Sequence, residues 1–235
     1  MPTMERPMTA AGGNQKVRDL ETQLRDEQRT KKRLADEVES LKKELHKQSF
    51  AQFTQGGSEV SVTAGRLPAV PGVREISMED LEFGEQIGQG GFSVIHKGLL
   101  NGTPVAIKKI FDPKMTDDLL AEIQNEIVMQ AILRHPNIAL LLGVMPKIPN
   151  IVIVFEHVEQ GSLYTLLHMK KQQVDLDLRA RIKIALASAR VFQYMHALGI
   201  VHRDIKSHNI LIDKNLEVKV CDFGLARFKV REHLS

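Results

Sequence analysis

Hydrophobic and polar positions fall into four regimes along the chain. Residues 1–14 carry Pro, Gly and Met without periodicity and predict a disordered tail. Between Gln15 and Gln48 there is no Pro or Gly, and charges of both signs are interspersed. Apolar residues recur at alternating steps of three and four: Val17, Leu20, Leu24, then Leu34, Val38, Leu41 and Leu45, with Glu27 and Lys31 filling the register between them. That heptad pattern predicts a coiled coil over 15–49, as a dimer or trimer. Its broken seam leaves a single solvated helix as the rival. Residues 50–75, rich in Gly, Ser, Thr and Pro, predict a flexible linker.

Globular patterning begins near Ile76. Strands are expected at Leu81–Ile87, Val94–Leu100 and Thr103–Ile110, with the hairpin signal Asn101-Gly102 between the last two. A helix is expected from Thr116 to Leu133, then apolar strands around Ile138–Val144 and Ile151–Phe155. A long helix follows, with Ile182, Ala185, Leu186, Ala189, Phe192 and Met195 expected on one face. Short strands at Ile210–Ile212 and Glu217–Val220 come last. Strands followed by helices make the class α+β.

Composition narrows the function classes. Of 235 residues, 43% are hydrophobic and 26% charged, a globular mix. The longest apolar runs, Ile138–Met145 and Ile151–Phe155, are too short to span a bilayer, and the N-terminus lacks the apolar core of a secretory signal. A single cysteine, Cys221, permits no internal disulfide and fits a reducing, cytoplasmic setting. Residues 1–75 hold 13 basic and 11 acidic side chains and the rest hold 19 and 18, so neither part has the basic excess of a nucleic-acid binder.

Four fragments carry chemistry. Gly88-Gln89-Gly90-Gly91-Phe92-Ser93-Val94-Ile95 stands between the first two strands, where glycines let backbone N–H groups approach a phosphate chain. Val105-Ala106-Ile107-Lys108 puts a lysine on the third strand, and Glu122 or Glu126, one turn apart on the next helix, can hold it. His202-Arg203-Asp204-Ile205-Lys206-Ser207-His208-Asn209 supplies a proton acceptor in Asp204, a phosphoryl contact in Lys206 and a magnesium-ligating oxygen in Asn209. Asp222-Phe223-Gly224 adds a second magnesium ligand in Asp222. Each fragment alone reads equally well as a plain turn or polar loop; their ordered co-occurrence does not.

At these residues the chain resembles a protein kinase, through the glycine loop, VAIK, HRD-x-K-x-x-N and DFG. The likeness runs from about Ile76 to the C-terminus and is nearest to the tyrosine-kinase-like serine/threonine branch with the Raf and mixed-lineage kinases. It implies a bilobal fold: an N-lobe sheet and helix over 76–155, a hinge at 156–158 and a partial, helical C-lobe over 159–235. It also implies ATP and Mg2+ as cofactors and a protein with a Ser or Thr hydroxyl as substrate. Gly88, Gly90, Gly91 and Ser93 would then cover the phosphates, Lys108 would contact them, and Glu126 rather than Glu122 would orient Lys108. Ile95, Ala106 and Leu211 would sandwich adenine, with Phe155 as gatekeeper and Glu156 to Val158 bonding the base through the backbone. Asp204 would be the catalytic base, Lys206 the γ-phosphate contact, and Asn209 and Asp222 the metal ligands.

Three departures from that pattern stand out. Ser93 takes the place of the third loop glycine. Gln130 occupies a position where the family puts an apolar residue stacking toward Phe223. Only eleven residues follow Gly224, where the family has an activation segment, an Ala-Pro-Glu motif and further helices. A fragment inactive alone is therefore expected. The competing functions are a nucleotide-binding but non-catalytic regulator of a partner kinase, and a coiled-coil adaptor that binds no nucleotide. In each, residues 15–49 would join a second copy or a partner kinase.

Overall fold

The computed structural model describes residues 65–112, 114–169 and 176–228, together with helical positions 18, 21–34, 36–38, 40, 41 and 44. The chain divides into two units, Met1–Lys47 and Gln48–Ser235. In the first, helix α1 is continuous over residues 21–34 and includes Glu27 and Lys31. Leu24, Leu34, Val38 and Leu41 are all exposed on it. The tail 1–14 and the seam positions Val17, Leu20 and Leu45 lie outside the described residues.

The second unit opens on a five-stranded antiparallel sheet. Its strands are β1 (Leu81–Gln89), β2 (Ser93–Leu100), β3 (Thr103–Ile110), β4 (Leu141–Met145) and β5 (Val152–Glu156), in the order β1-β2-β3-β5-β4. Asn101 and Gly102 both take positive φ, which a two-residue hairpin turn requires. Residue alternation sorts the two faces of the sheet. Val105 and Ile107 pack with Val152, Val154, Leu81 and Leu100 on one side. Ile110, Ile151 and Ile153 pack on the other, against helix α2 (Asp117–Ile132) through Ile123 and Ile127. The Thr116 hydroxyl accepts from the Leu119 N–H at 3.3 Å and starts α2, with Asp117 and Asp118 complementing the helix dipole.

The linker expected over 50–75 does not extend to Glu75. From Gly65 the chain is a strap over the sheet: Leu67 and Val70 are buried beside Ile123 and Ile127. Ile76 donates its N–H to the Val144 carbonyl at 3.0 Å. The strap fits because residue 143 is glycine; a Cβ there would come within 2.5 Å of Ile76 Cδ1 and 2.7 Å of the Arg74 carbonyl. Apolar residues spaced among Pro and Gly carry no period, which is why composition alone suggested a linker.

Below the sheet lie β6 (Gly161–Ser162), helix α3 (Leu163–His168), helix α4 (Leu178–Ala197), β7 (Ile200–Val201), β8 (Ile210–Ile212), β9 (Val218–Val220) and β10 (Arg227–Phe228). Strands β6, β8 and β9 form one small sheet, and β7 pairs with β10. Asp177 caps α4 by accepting the Ala180 N–H at 2.7 Å. The buried face of α4 is Ala180, Ile184, Ala187, Ser188, Val191 and Met195. This corrects the expected face. Ile182, Ala185, Leu186 and Ala189 are exposed and Phe192 only half-buried, because α4 carries apolar residues on opposite sides and the strands lie against the other one. The strand expected from Ile138 starts only at Leu141. The stretch before it is tied to β9 instead, where Val220 donates to the Asn137 carbonyl at 2.7 Å and Ala139 to the Val220 carbonyl at 2.9 Å. Among the described residues no helix is long and apolar enough to cross a membrane.

Candidate active site

Strand pairing assembles the upper half of the site. Cross-strand partners share a face, and Ile95 lies opposite Lys108, Ala106 opposite Phe155, and Lys108 opposite Ile153. Ile95, Ala106, Lys108 and Phe155 therefore stand on the face turned to α2, all half-buried. Lys108 Nζ donates to both carboxylate oxygens of Glu126 at 2.7 Å. Burial alone would lower the Lys108 ammonium's pKa; the Glu126 carboxylate, with help from Asp222, outweighs it and the net shift is upward. Glu122 is exposed and plays no part in this pair.

The glycine hairpin closes between β1 and β2. Gly88 pairs with Ile95, and the Gly90 N–H donates to the Ser93 carbonyl at 2.8 Å. Gly90, Gly91 and Phe92 form the exposed tip, and Ser93 is buried beneath it. A Cβ on Gly91 would meet nothing within 4 Å, so its lack of a side chain answers no packing demand within the protein.

At the end of β5, Glu156 and His157 are half-exposed and Val158 is buried. The Glu156 side chain ties this hinge to both halves of the unit. Its Oε1 accepts from the Leu140 N–H and from Lys219 Nζ on β9, each at 2.8 Å. Leu211 is half-buried on β8 and faces Ser162 and Lys219 across the small sheet.

The lower half is a turn held by its own polar groups. Asn209 donates through Nδ2 to the Asp204 carbonyl and to Asp204 Oδ2, both at 2.9 Å, leaving its Oδ1 as an acceptor. Lys206 Nζ donates to Asp204 Oδ2 at 2.6 Å. That bond, together with Asn209, holds the Asp204 carboxyl below the usual carboxylate range, and it raises Lys206. His202 lies fully buried between Phe192 and Phe223, its Nε2 3.2 Å from the Cys221 carbonyl, and burial lowers its pKa. Asp222 is exposed with φ +64°, whereas Phe223 is fully buried. Burial pushes the Cys221 thiol up to about 12, so this cysteine is not a nucleophile.

Gln130 is buried rather than solvent-facing. Its Nε2 donates to the Ala139 carbonyl at 3.1 Å, and its Oε1 has no partner among the described residues. Sequence reasoning missed Lys219 and Asn125. Lys219 alternates with buried Val218 and Val220, a weak signal of outward direction. Asn125 Nδ2 donates to the Gly224 and Ala226 carbonyls, a contact between α2 and a loop 99 residues away that no local pattern announces.

The donor set fits magnesium held jointly with phosphate. Among the described residues no group of three His, Cys, Asp or Glu could hold a metal by itself. Asp222 and Asn209 offer two hard oxygens, and magnesium takes only one or two carboxylates and completes its shell with phosphate oxygens and water.

The family model that matches is "Protein kinase domain", over residues 81–234. A probable serine/threonine-protein kinase of Arabidopsis thaliana, SIS8, is 45% identical over 163 residues, covering 68% of this chain and 16% of that protein. The serine/threonine-protein kinase CTR1 of the same plant is 41% identical over 158 residues, covering 66% and 19%. A probable serine/threonine-protein kinase of Dictyostelium discoideum is 40% identical over 156 residues, covering 66% and 17%. The chain thus spans under a fifth of the length of these curated relatives. Matched from the first strand of the sheet to beyond its Asp222-Phe223-Gly224 segment, this chain belongs to the protein kinase family.

Proposed function

We propose that the chain is the catalytic part of an ATP-dependent serine/threonine kinase, transferring a phosphoryl group from MgATP to a protein hydroxyl. The observation that carries this reading is the Lys108–Glu126 pair, closed at 2.7 Å on both oxygens and facing the glycine hairpin's side of the sheet. MgATP would supply the transferable phosphoryl group and the cation that neutralises its oxygens. Lys108, steadied by Glu126, binds the phosphates. The glycine hairpin with Gly88, Gly90, Gly91 and Ser93 covers them. Ile95, Ala106, Leu211 and Phe155 bound the base, whose edge meets the backbone from Glu156 to Val158. Asn209 and Asp222 would hold the metal. Asp204, kept ionised by Lys206 and Asn209, accepts the hydroxyl proton, and Lys206 then lies beside the transferred group. Positioning and electrostatics supply most of the catalysis in such a reaction. Lys206, and the names of the relatives, favour Ser or Thr as the acceptor.

In this reading residues 15–49 associate as a coiled coil with a second copy or a partner kinase. The single, half-buried Cys221 suits a cytoplasmic protein. A second reading, nucleotide binding without turnover in a regulatory subunit, has one observation in its favour. The α4 stripe Leu178, Ile182 and Leu186 is 74%, 58% and 50% exposed, so an apolar face of the helix that leads into the catalytic loop is in water. Radiolabel transfer from ATP to a Ser/Thr peptide distinguishes the two. Against the inactivity expected of a fragment alone, the kinase reading expects transfer that falls about 100-fold or more in Asp204→Asn. Tight MgATP binding with no transfer would support the regulator.

A further inference from the structure

Helix α2 makes a second connection to the site, one residue before Glu126. Asn125 Nδ2 donates to the carbonyl oxygens of Gly224 at 3.2 Å and Ala226 at 3.4 Å. The same two oxygens accept from Arg227 Nη1 at 2.9 and 2.8 Å. A carboxamide NH2 and one guanidinium NH2 carry four hydrogens, and two carbonyls offer four lone pairs, so the four groups can saturate one another. The segment they hold is strained. Asp222, two residues before Gly224, has φ +64°, a conformation that costs a non-glycine residue energy and persists only where its surroundings impose it. On one side of that strain Phe223 is locked in the core, and Ala226 is fully buried. The Gly224 and Ala226 carbonyls are met by Asn125 as well as by Arg227.

We infer that Asn125 is a positioning residue: it ties the Asp222 loop to helix α2, the helix that also presents Glu126 to Lys108, and so sets Asp222 for magnesium. Arg227 bonds these carbonyls from within the loop and can tighten it, but it cannot report where α2 is. Asn125 is the member that couples the two. Its chemistry requires a donor: the neutral carboxamide gives two N–H bonds, whereas Leu, of similar size, gives none and leaves each carbonyl with Arg227 alone. The consequence is selective. Contacts of a nucleotide with the hinge and Lys108 do not pass through Asn125, whereas a cation held at Asp222 does.

The inference rests on the kinase reading of the site, and two measurements on the full chain separate their fates. Amide hydrogen exchange without nucleotide reads the tether itself. Asn125→Leu should raise exchange about tenfold in the peptide covering 221–228 and leave α4 unchanged; Asn125→Ala provides a second, smaller variant. Calorimetric titration with ATP, with and without Mg2+, reads the coupling. The variants should lose about tenfold of the affinity that Mg2+ adds, with Mg2+-free ATP affinity retained. Unchanged exchange at 221–228, exchange raised equally in α4, or an intact Mg2+ enhancement would each overturn the inference. Failure of the wild type to bind any nucleotide would instead defeat the kinase reading, and the exchange result would still decide whether Asn125 holds the loop.

Discussion

At the scale of single residues the site is a set of compensated burials. Lys108 and Glu126 give up water together, and Asp204 draws its low pKa from Lys206 and Asn209. His202 has no such charge partner at bonding distance, and burial keeps it neutral. The sign of its pH dependence follows. Below about pH 6.5 the unfolded chain protonates this ring while the folded protein resists, so the unfolded state binds more protons and stability falls as pH falls. Burial lowers His135 and His157 as well, in the same direction. Asp204 acts in a lower window: its contribution is present above its ordinary value of 3.8 and is lost in stronger acid. Urea midpoints should therefore drop between pH 7.5 and 5.5, and His202→Leu should make the drop shallower. A midpoint that holds or rises over that range would contradict the burial of a neutral His202. Most of these residues were legible in the sequence because their spacing is itself the signal: glycines on a hairpin, a lysine two residues after Ala106 on one face, Asn209 five residues after Asp204. Asn125 and Lys219 were not, because their partners are 99 and 63 residues away and are chosen by tertiary geometry.

At the scale of elements, legibility followed one-sidedness. Strand β3 begins and ends as the alternation predicts, since Val105 and Ile107 point to one core and Ala106 and Lys108 to the other side. Helix α4 has apolar residues on opposite sides, so its buried face could not be read until β7 and β9 were in place. The strap at 65–75 was hidden because its two anchors, Leu67 and Val70, are too few to set a period. The hinge connection through Glu156 belongs to this scale, because it joins β5 to β9. Lys219→Met should leave the Glu156 bond to Leu140 intact and remove the other. Both side chains of the pair are about a quarter exposed, so the cost should be modest, about 1 kcal/mol, read as a lower urea midpoint with an unchanged slope. A loss of more than about 3 kcal/mol would show that Lys219 holds more than this pair.

At the scale of the whole molecule, two units of different physics share one chain. The second owes its order to three apolar clusters, one on each side of the five-stranded sheet and one beneath it. The first is a helix whose apolar stripe has Leu34, Val38 and Leu41 in water at 52%, 49% and 63%. A lone helix of this kind gains little from its own hydrogen bonds, and pairing would bury the stripe. Light scattering on the full chain should give twice or three times the 26.4 kDa monomer mass, and Leu41→Pro should return it to the monomer. A monomer at tens of micromolar in the unaltered chain would leave α1 as a solvated helix and remove the coiled coil from the account.

The central claim is that the sheet, α2 and the catalytic turn together make a MgATP site. Calorimetric titration of the full chain with ATP in the presence of Mg2+ tests it most directly. The account predicts one site per chain, weakened at least tenfold in Lys108→Met, and with its Mg2+ dependence lost in Asp222→Asn. No heat of binding at millimolar MgATP, or binding indifferent to both substitutions, would contradict it.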